Sequence, residues 1–188
     1  HKAAKLVMQL FDGVFPTAYE DVIKLPGVGD YTAAAVSSFS VNENRAVLDG
    51  NVFRVLSRYY GIDVPINTGQ GKKIFHAVAQ DILPKDQAAI YNQAIMDFGA
   101  TVCKPKAAFC EACVLRLECV ASRENSVSLL PVKIKGKGSR NRYFHYFVIQ
   151  EGDSIVMNKR GESDVWANLY EFPLIETSTD SSLEELVM

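Results

Sequence analysis

Four cysteines crowd one short stretch of the chain: Cys103, Cys110, Cys113 and Cys119, spaced C-x6-C-x2-C-x5-C, and there are no others. Thiolates are soft ligands, so four of them in one loop point to metal. Disulfides are the competing use. They suit oxidising compartments, whereas the opening residues lack the basic, apolar and small-residue layout of a secretory leader. Zinc sites commonly pair two Cys-x-x-Cys units. Only one such unit occurs here, flanked by two wider gaps. An iron–sulfur cubane needs one thiolate on each iron, which a single loop can supply. The spacing therefore points strongly to metal and leaves zinc and iron–sulfur both open.

Two further segments could do chemistry. Leu25-Pro26-Gly27-Val28-Gly29 breaks a helical pattern with proline and glycine just before another helix. A helix start exposes unpaired N–H groups and the positive end of the dipole, so it can hold an anion without a basic side chain. Val47-Leu48-Asp49-Gly50-Asn51-Val52 places a carboxylate directly before a helix. A plain N-cap is the common use of such an aspartate.

The elements that must position these residues are mostly helices. Leu6, Val7, Leu10 and Phe11 form an apolar stripe in a pattern that begins with no start signal, so the native protein is expected to begin upstream. Thr17, with Glu20 three residues on, predicts a capping box for a helix ending near Lys24. Asp30 is expected to cap an alanine-rich helix through about Ser40. Loop 41–50 leads to a helix over 51–60, loop 61–68 follows, and two more helices fit 70–83 and 86–101. Residues 1–122 thus read as one helical domain and 123–142 as a basic linker. Beyond it, alternation predicts strands at 143–149 and 154–157 joined by Glu151-Gly152-Asp153, with a third strand within 165–173 and a helix starting at Ser181. Residues 143–188 read as the truncated start of an α/β domain.

Hydrophobic residues make up 48% of the 188, enough for a sizeable core. No run is long enough to span a membrane, and a cytoplasmic protein (nucleoid-associated if bacterial) is expected. The net charge of −2 argues mildly against nucleic acid. Phosphate grips built from backbone N–H groups escape that argument, because they add no charge.

The cysteine loop, following a helix such as 86–101, resembles that of the endonuclease III superfamily of DNA glycosylases, where it holds a [4Fe–4S] cluster. Leu25–Gly29 followed by Asp30-Tyr31-Thr32-Ala33 is similar to the helix-hairpin-helix of the same superfamily. The resemblance implies a mainly α glycosylase domain with an iron–sulfur loop. It also implies that Pro26, Gly27, Val28, Gly29 and Thr32, with Arg54, grip double-stranded DNA. Lys104, Lys106 and Arg116 could add cationic contacts. Asp49 falls where the superfamily keeps its essential aspartate. A carboxylate there would stabilise, or attack, the oxocarbenium-like sugar formed as the base leaves.

Two positions narrow the resemblance. Endonuclease III-like enzymes carry a Schiff-base lysine where this chain has Tyr31, and a phenol forms no imine. Asp49-Gly50-Asn51-Val52, with tyrosine at the lysine position, is similar to the MutY-type adenine DNA glycosylases. That likeness places Tyr31 and Asn51 beside Asp49 in the site, with Asn51 holding Asp49 or the sugar. It implies removal of adenine mispaired with 8-oxoguanine or guanine, by a monomer. Residues 143–157 and 166–173 resemble the opening strands of that family's Nudix-like domain, though Asp164–Asn168 departs from its usual Gly-Leu-Trp-Gly-Gly. The family's acid glutamate, in a Leu-Gln-Gln-Thr-like helix, has no match here, so this piece is expected to excise adenine poorly. Arg54 and Arg58 lie one turn apart on the helix after Asp49, where a structural role is the alternative. The rival readings are a monofunctional pyrimidine glycosylase, a non-enzymatic iron–sulfur DNA-binding module and a zinc-bound structural module.

Overall fold

The computed structural model describes residues 1–188 other than Lys137, Ser139, Leu183, Glu185, Val187 and Met188. It divides into two compact units, His1–Lys135 and Gly136–Met188.

The first unit is helical: α1 (Lys2–Leu10), α2 (Tyr19–Val22), α3 (Asp30–Val41), α4 (Gly50–Tyr60), α5 (Gly69–Asp81), α6 (Ala88–Thr101) and α7 (Val120–Arg123). Helix α4 is the hub and packs against α5, α6 and α7, while α3 lies between α2 and α6. Its buried face carries Val52, Val55 and Leu56 at helical spacing. Val52 and Leu56 join Phe75, Ala79, Leu83 and Ala88 in the core. Burial of a side chain such as Phe75 or Leu56 contributes about 1.5–3 kcal/mol. Gly99 lets α6 approach α4 closely, because a Cβ there would sit 2.7 Å from the Cβ of Asn51.

Local start signals were partly overridden by tertiary contacts. Helix α2 is only one turn, starts on Ala18 and has no side-chain cap, so Thr17 does not play its expected part. Glu20 instead pairs with Arg45 at 2.9 Å. The backbone N–H of Tyr19 donates to Glu43 Oε2 at 2.8 Å, so a carboxylate distant in sequence satisfies the helix start. Likewise Gly29, not Asp30, is the N-cap of α3. Thr68 caps α5 by accepting from the Gly71 N–H at 3.0 Å. Part of the segment expected as a linker belongs to this unit: the Ile66 N–H donates to Val132 O at 3.0 Å, and Asn67 bonds both backbone groups of Ile134.

Among the described residues, the second unit has six short strands: β1 (Tyr143–Tyr146), β2 (Gln150–Glu151), β3 (Ser154–Ile155), β4 (Asn158–Lys159), β5 (Tyr170–Glu171) and β6 (Leu174–Thr177). All pair antiparallel: β1 with β6 in register Tyr143↔Thr177, β2 with β3, and β4 with β5. The hairpin expected between 143–149 and 154–157 is therefore smaller. Only β2 and β3 meet across Gly152-Asp153, and β1 takes β6 instead. Alternation identifies strands but does not choose between partners. Four of the eight residues of the helix expected from Ser181 (183, 185, 187 and 188) lie outside the described residues. Among the described residues, no helix is long and apolar enough to cross a membrane.

Candidate functional site

The hairpin is a type II turn. Val28 N–H donates to Leu25 O at 3.0 Å, Pro26 occupies the second position, and Gly27 adopts φ +85°, as the third position of that turn requires. Leu25 is buried at 2% exposure, which anchors the loop. Pro26, Gly27 and Gly29 are exposed, as are Tyr31 and Thr32 beyond them. Gly29 brings no side chain to the leading N–H groups of α3, so they remain for an external acceptor. A cluster missed by local pattern reading braces this loop. The Tyr19 hydroxyl donates to Asp30 Oδ1 at 3.1 Å, and the Arg45 guanidinium stacks 4.1 Å from the Tyr19 ring. Burial, then the hydrogen bond to Asp30, raises the Tyr19 phenol, which keeps it the donor.

Asp49 caps α4 and is half-buried. Its Oδ1 accepts from the Val52 N–H at 2.7 Å, and its Oδ2 accepts from Asn51 Nδ2 at 2.7 Å. The structural and chemical readings of this aspartate therefore do not compete, because the cap is what fixes the carboxylate. Asn51 sits where the sequence expected it, beside Asp49. Tyr31 borders a cleft of about 590 Å³ shared with Leu48, the residue before Asp49, and with Lys72, Lys73 and His76. The hairpin's second helix and Leu48 thus line one cleft, and Asp49 follows directly on Leu48.

Arg54 differs from the expectation of a DNA contact. It is 7% exposed, and its guanidinium donates inward: to Asn51 Oδ1 at 2.8 Å, Gly99 O at 2.7 Å, Cys103 O at 2.7 Å and Gly50 O at 3.3 Å. Burial lowers its pKa from the ordinary arginine value, partly offset by Cys103 and Asp49. Four of its five N–H donors are thus spent inside the protein, one of them on Asn51. Arg58 is more buried still, at 3%. It donates to the carbonyls of Val127, Leu130, Lys104 and Pro105 and lies 3.4 Å from Cys103 Sγ.

Cys103, Cys110, Cys113 and Cys119 line one cavity with Val55, Arg58, Phe98, Phe109 and Leu115. None of the four is in a disulfide. Burial first, then the neighbouring sulfurs, raises the Cys110 thiol. Among the described residues, no group of three or more Cys, His, Asp or Glu is arranged to hold a metal ion. Four soft thiolates on one cavity suit either zinc or an iron–sulfur cluster by donor type. Of the nearby cations, Arg116 is tied to Glu111, and Lys104 Nζ stands 4.5 Å from the Phe109 ring.

No family model matches the chain. An adenine DNA glycosylase of Buchnera aphidicola subsp. Schizaphis graminum (strain Sg) is 34% identical over 177 residues, 94% of this chain and 51% of that protein. A solved thermostable thymine-DNA glycosylase superposes with TM-score 0.60 at 30% identity, over 65% of this chain and 56% of that one. An endonuclease III bound to DNA shares the fold, with TM-score 0.56 at 24% identity over 66% and 56% of the two chains. The chain spans about half the length of the curated relatives it matches. It is a homologue of the adenine DNA glycosylases and shares the fold of the solved glycosylases.

Proposed function

We propose that the protein is an adenine DNA glycosylase of base excision repair, acting on double-stranded DNA with adenine opposite 8-oxoguanine or guanine. The observation that carries this reading is the Asp49 carboxylate. Both its oxygens are held at 2.7 Å, one residue beyond Leu48, which lines the cleft that Tyr31 also borders. The hairpin takes a phosphate on the α3 start, which positions the duplex without reading bases. The adenine is flipped out of the stack into the cleft. As the bond from C1′ to adenine N9 lengthens, positive charge grows on the sugar, and the Asp49 carboxylate stabilises it. Water supplies hydroxide to C1′ and a proton is needed at the departing base. That proton comes from a second acid, to which no residue of this chain is assigned. Tyr31 forms no Schiff base, so the reaction stops at the abasic site.

The four cysteines would hold a [4Fe–4S] cluster. Its contribution when bound is structural, since it ties the loop of residues 103–119 together. Arg58 adds donors to that loop from α4. Residues 143–188 are read as part of a Nudix-like domain that recognises the opposite base.

Single-turnover excision from an adenine:8-oxoguanine duplex tests the reading, with the full-length protein beside its Asp49→Asn variant. Adenine release that disappears in the variant supports it. The likeness to a thymine-DNA glycosylase favours one second reading, a pyrimidine glycosylase. Release of thymine or damaged pyrimidine, and no adenine, would select that one.

A further inference from the structure

The segment that delivers Asp49 is held in an unusual way. Residues 44–47, with a bend at Asn44, lead into the α4 cap and pair with no strand. Two side-chain amides from different helices take the place of a strand. From α5, Gln80 donates Nε2 to Asn44 O at 3.0 Å and accepts the Ala46 N–H on Oε1 at 3.0 Å. From α6, Asn92 donates Nδ2 to Arg45 O at 2.8 Å and accepts the Val47 N–H on Oδ1 at 3.1 Å. Each amide therefore grips backbone groups two residues apart. The two grips alternate along the chain and reach it from two sides, as neighbouring strands do in a sheet. Asn92 is 2% exposed and uses its second donor hydrogen on Ser38 Oγ at 2.8 Å, which ties the same point to α3. Every donor and acceptor of its amide is used.

We propose that Gln80 and Asn92 are positioning residues for the Asp49 carboxylate, a two-sided amide clamp that fixes the approach to the α4 cap. This rests on the reading of Asp49 as the reacting group. The clamp reaches Asp49 only through backbone, because Leu48 alone separates the last clamped residue from it. A core made only of apolar contacts would let 44–47 slide along its axis. Paired donors and acceptors fix that axis, since each amide fits one register. Asparagine at position 92 is half-specified by burial, which demands full satisfaction. Gln80 is only half-buried, so burial does not account for its bonds.

The test uses Gln80→Met in the full-length protein, with Asn92→Asp beside it. Gln80→Met keeps length and removes both bonds at a half-buried position, so it folds even where Asn92→Asp fails to. Amide hydrogen exchange at Ala46 and Val47 reads the clamp. Exchange at Val52, whose N–H is received by Asp49, reads the carboxylate's placement. Single-turnover excision and duplex affinity read the chemistry. The expected result is exchange about tenfold faster at Ala46 and Val52, with excision slowed about tenfold at unchanged affinity, as small misplacements cost rate rather than binding. Gln80→Glu, which keeps the acceptor for Ala46, recovers part of the rate. Faster exchange at Ala46 with Val52 and the rate unmoved would leave the clamp a fold contact and overturn the proposal. Unchanged exchange throughout would overturn it too. An unsubstituted protein that releases no adenine, while Gln80→Met still loosens Val52, would sink the adenine reading and uphold the clamp.

Discussion

Helices α3 and α4 begin close to one cleft, which Gly29 and Leu48 line, and their beginnings are finished in opposite ways. Helix α3 starts on Gly29, which brings no side chain to the leading N–H groups. Helix α4 starts on Asp49, which fills one of those positions with its own carboxylate. A helix start can offer its donors to an anion from outside, or use them to hold an anion of its own. The first arrangement suits a grip on phosphate. The second gives a carboxylate with both oxygens fixed and a known place. The difference rests on single residues, so substitutions can exchange it.

The largest effect is expected where the held carboxylate loses its charge and keeps its cap. Asparagine caps a helix about as well as aspartate, so Asp49→Asn should leave the melting temperature unchanged. Single-turnover excision should fall on the order of 10³-fold, about 4 kcal/mol in the barrier. Asp49→Ala should show the same loss of rate and also cost about 1 kcal/mol of stability. Equal stability for the two variants would mean that the cap contributes nothing.

The next effect tests what makes the α4 start rigid. Deeper in that helix, Arg58 holds four backbone carbonyls, two within the cysteine loop and two in the segment after it; α3 has no such post. Arg58→Met should cost about 3 kcal/mol in urea unfolding, since it leaves buried acceptors without donors. A loss below 1 kcal/mol would mean that water replaces the guanidinium and that the two helix starts are equally supported.

The contrast was partly legible in the sequence. The Leu-Pro-Gly-Val-Gly break and the Asp-Gly-Asn segment are local signals, and both stand where the spacing put them. Helices α3, α4, α5 and α6 could be read from apolar periodicity because each buries one face. Arg54 and Arg58 could not be placed, because an arginine at helical spacing looks alike on a solvated face and in the interior. Their burial depends on carbonyls from residues 99–130, which no local pattern brings near. The same is true of Glu43, which caps a helix distant in sequence and displaces the expected Thr17 box. In the second unit β1, β2's partner β3 and β5 fall within the expected strands, whereas β4, β6 and the pairings were not read, because strands of two to four residues carry too little pattern.

Gly29→Asp would give α3 the same kind of start as α4. Nothing lies within 4 Å of a Cβ at Gly29, and its φ is −108°, so the substitution is tolerated locally. The added carboxylate caps the helix at no cost in stability. It also occupies the donors and repels phosphate, so duplex affinity should fall about tenfold, with the loss shrinking as salt rises. The loss should be alike for matched and mismatched duplexes, because this contact reads no base. Affinity unchanged by Gly29→Asp would remove the α3 start from the DNA grip and leave the comparison without its open member.

The smallest effect concerns the turn that aims the α3 start. Gly27 holds φ +85° with no atom within 4 Å of a built Cβ, so Gly27→Ala adds no clash and its cost is backbone strain alone. That strain should be about 1 kcal/mol in urea unfolding. Gly27→Asn should cost less, since asparagine enters the left-handed region more readily. Affinity in Gly27→Ala should fall only as far as the turn relaxes toward another geometry. If Gly27→Ala and Gly27→Asn are equally stable and bind alike, the type II turn does not set the direction of α3. Its anchor would then be the buried Leu25 and the Tyr19–Asp30 bond, and a Tyr19→Phe variant, which leaves the turn intact, should show the affinity loss instead.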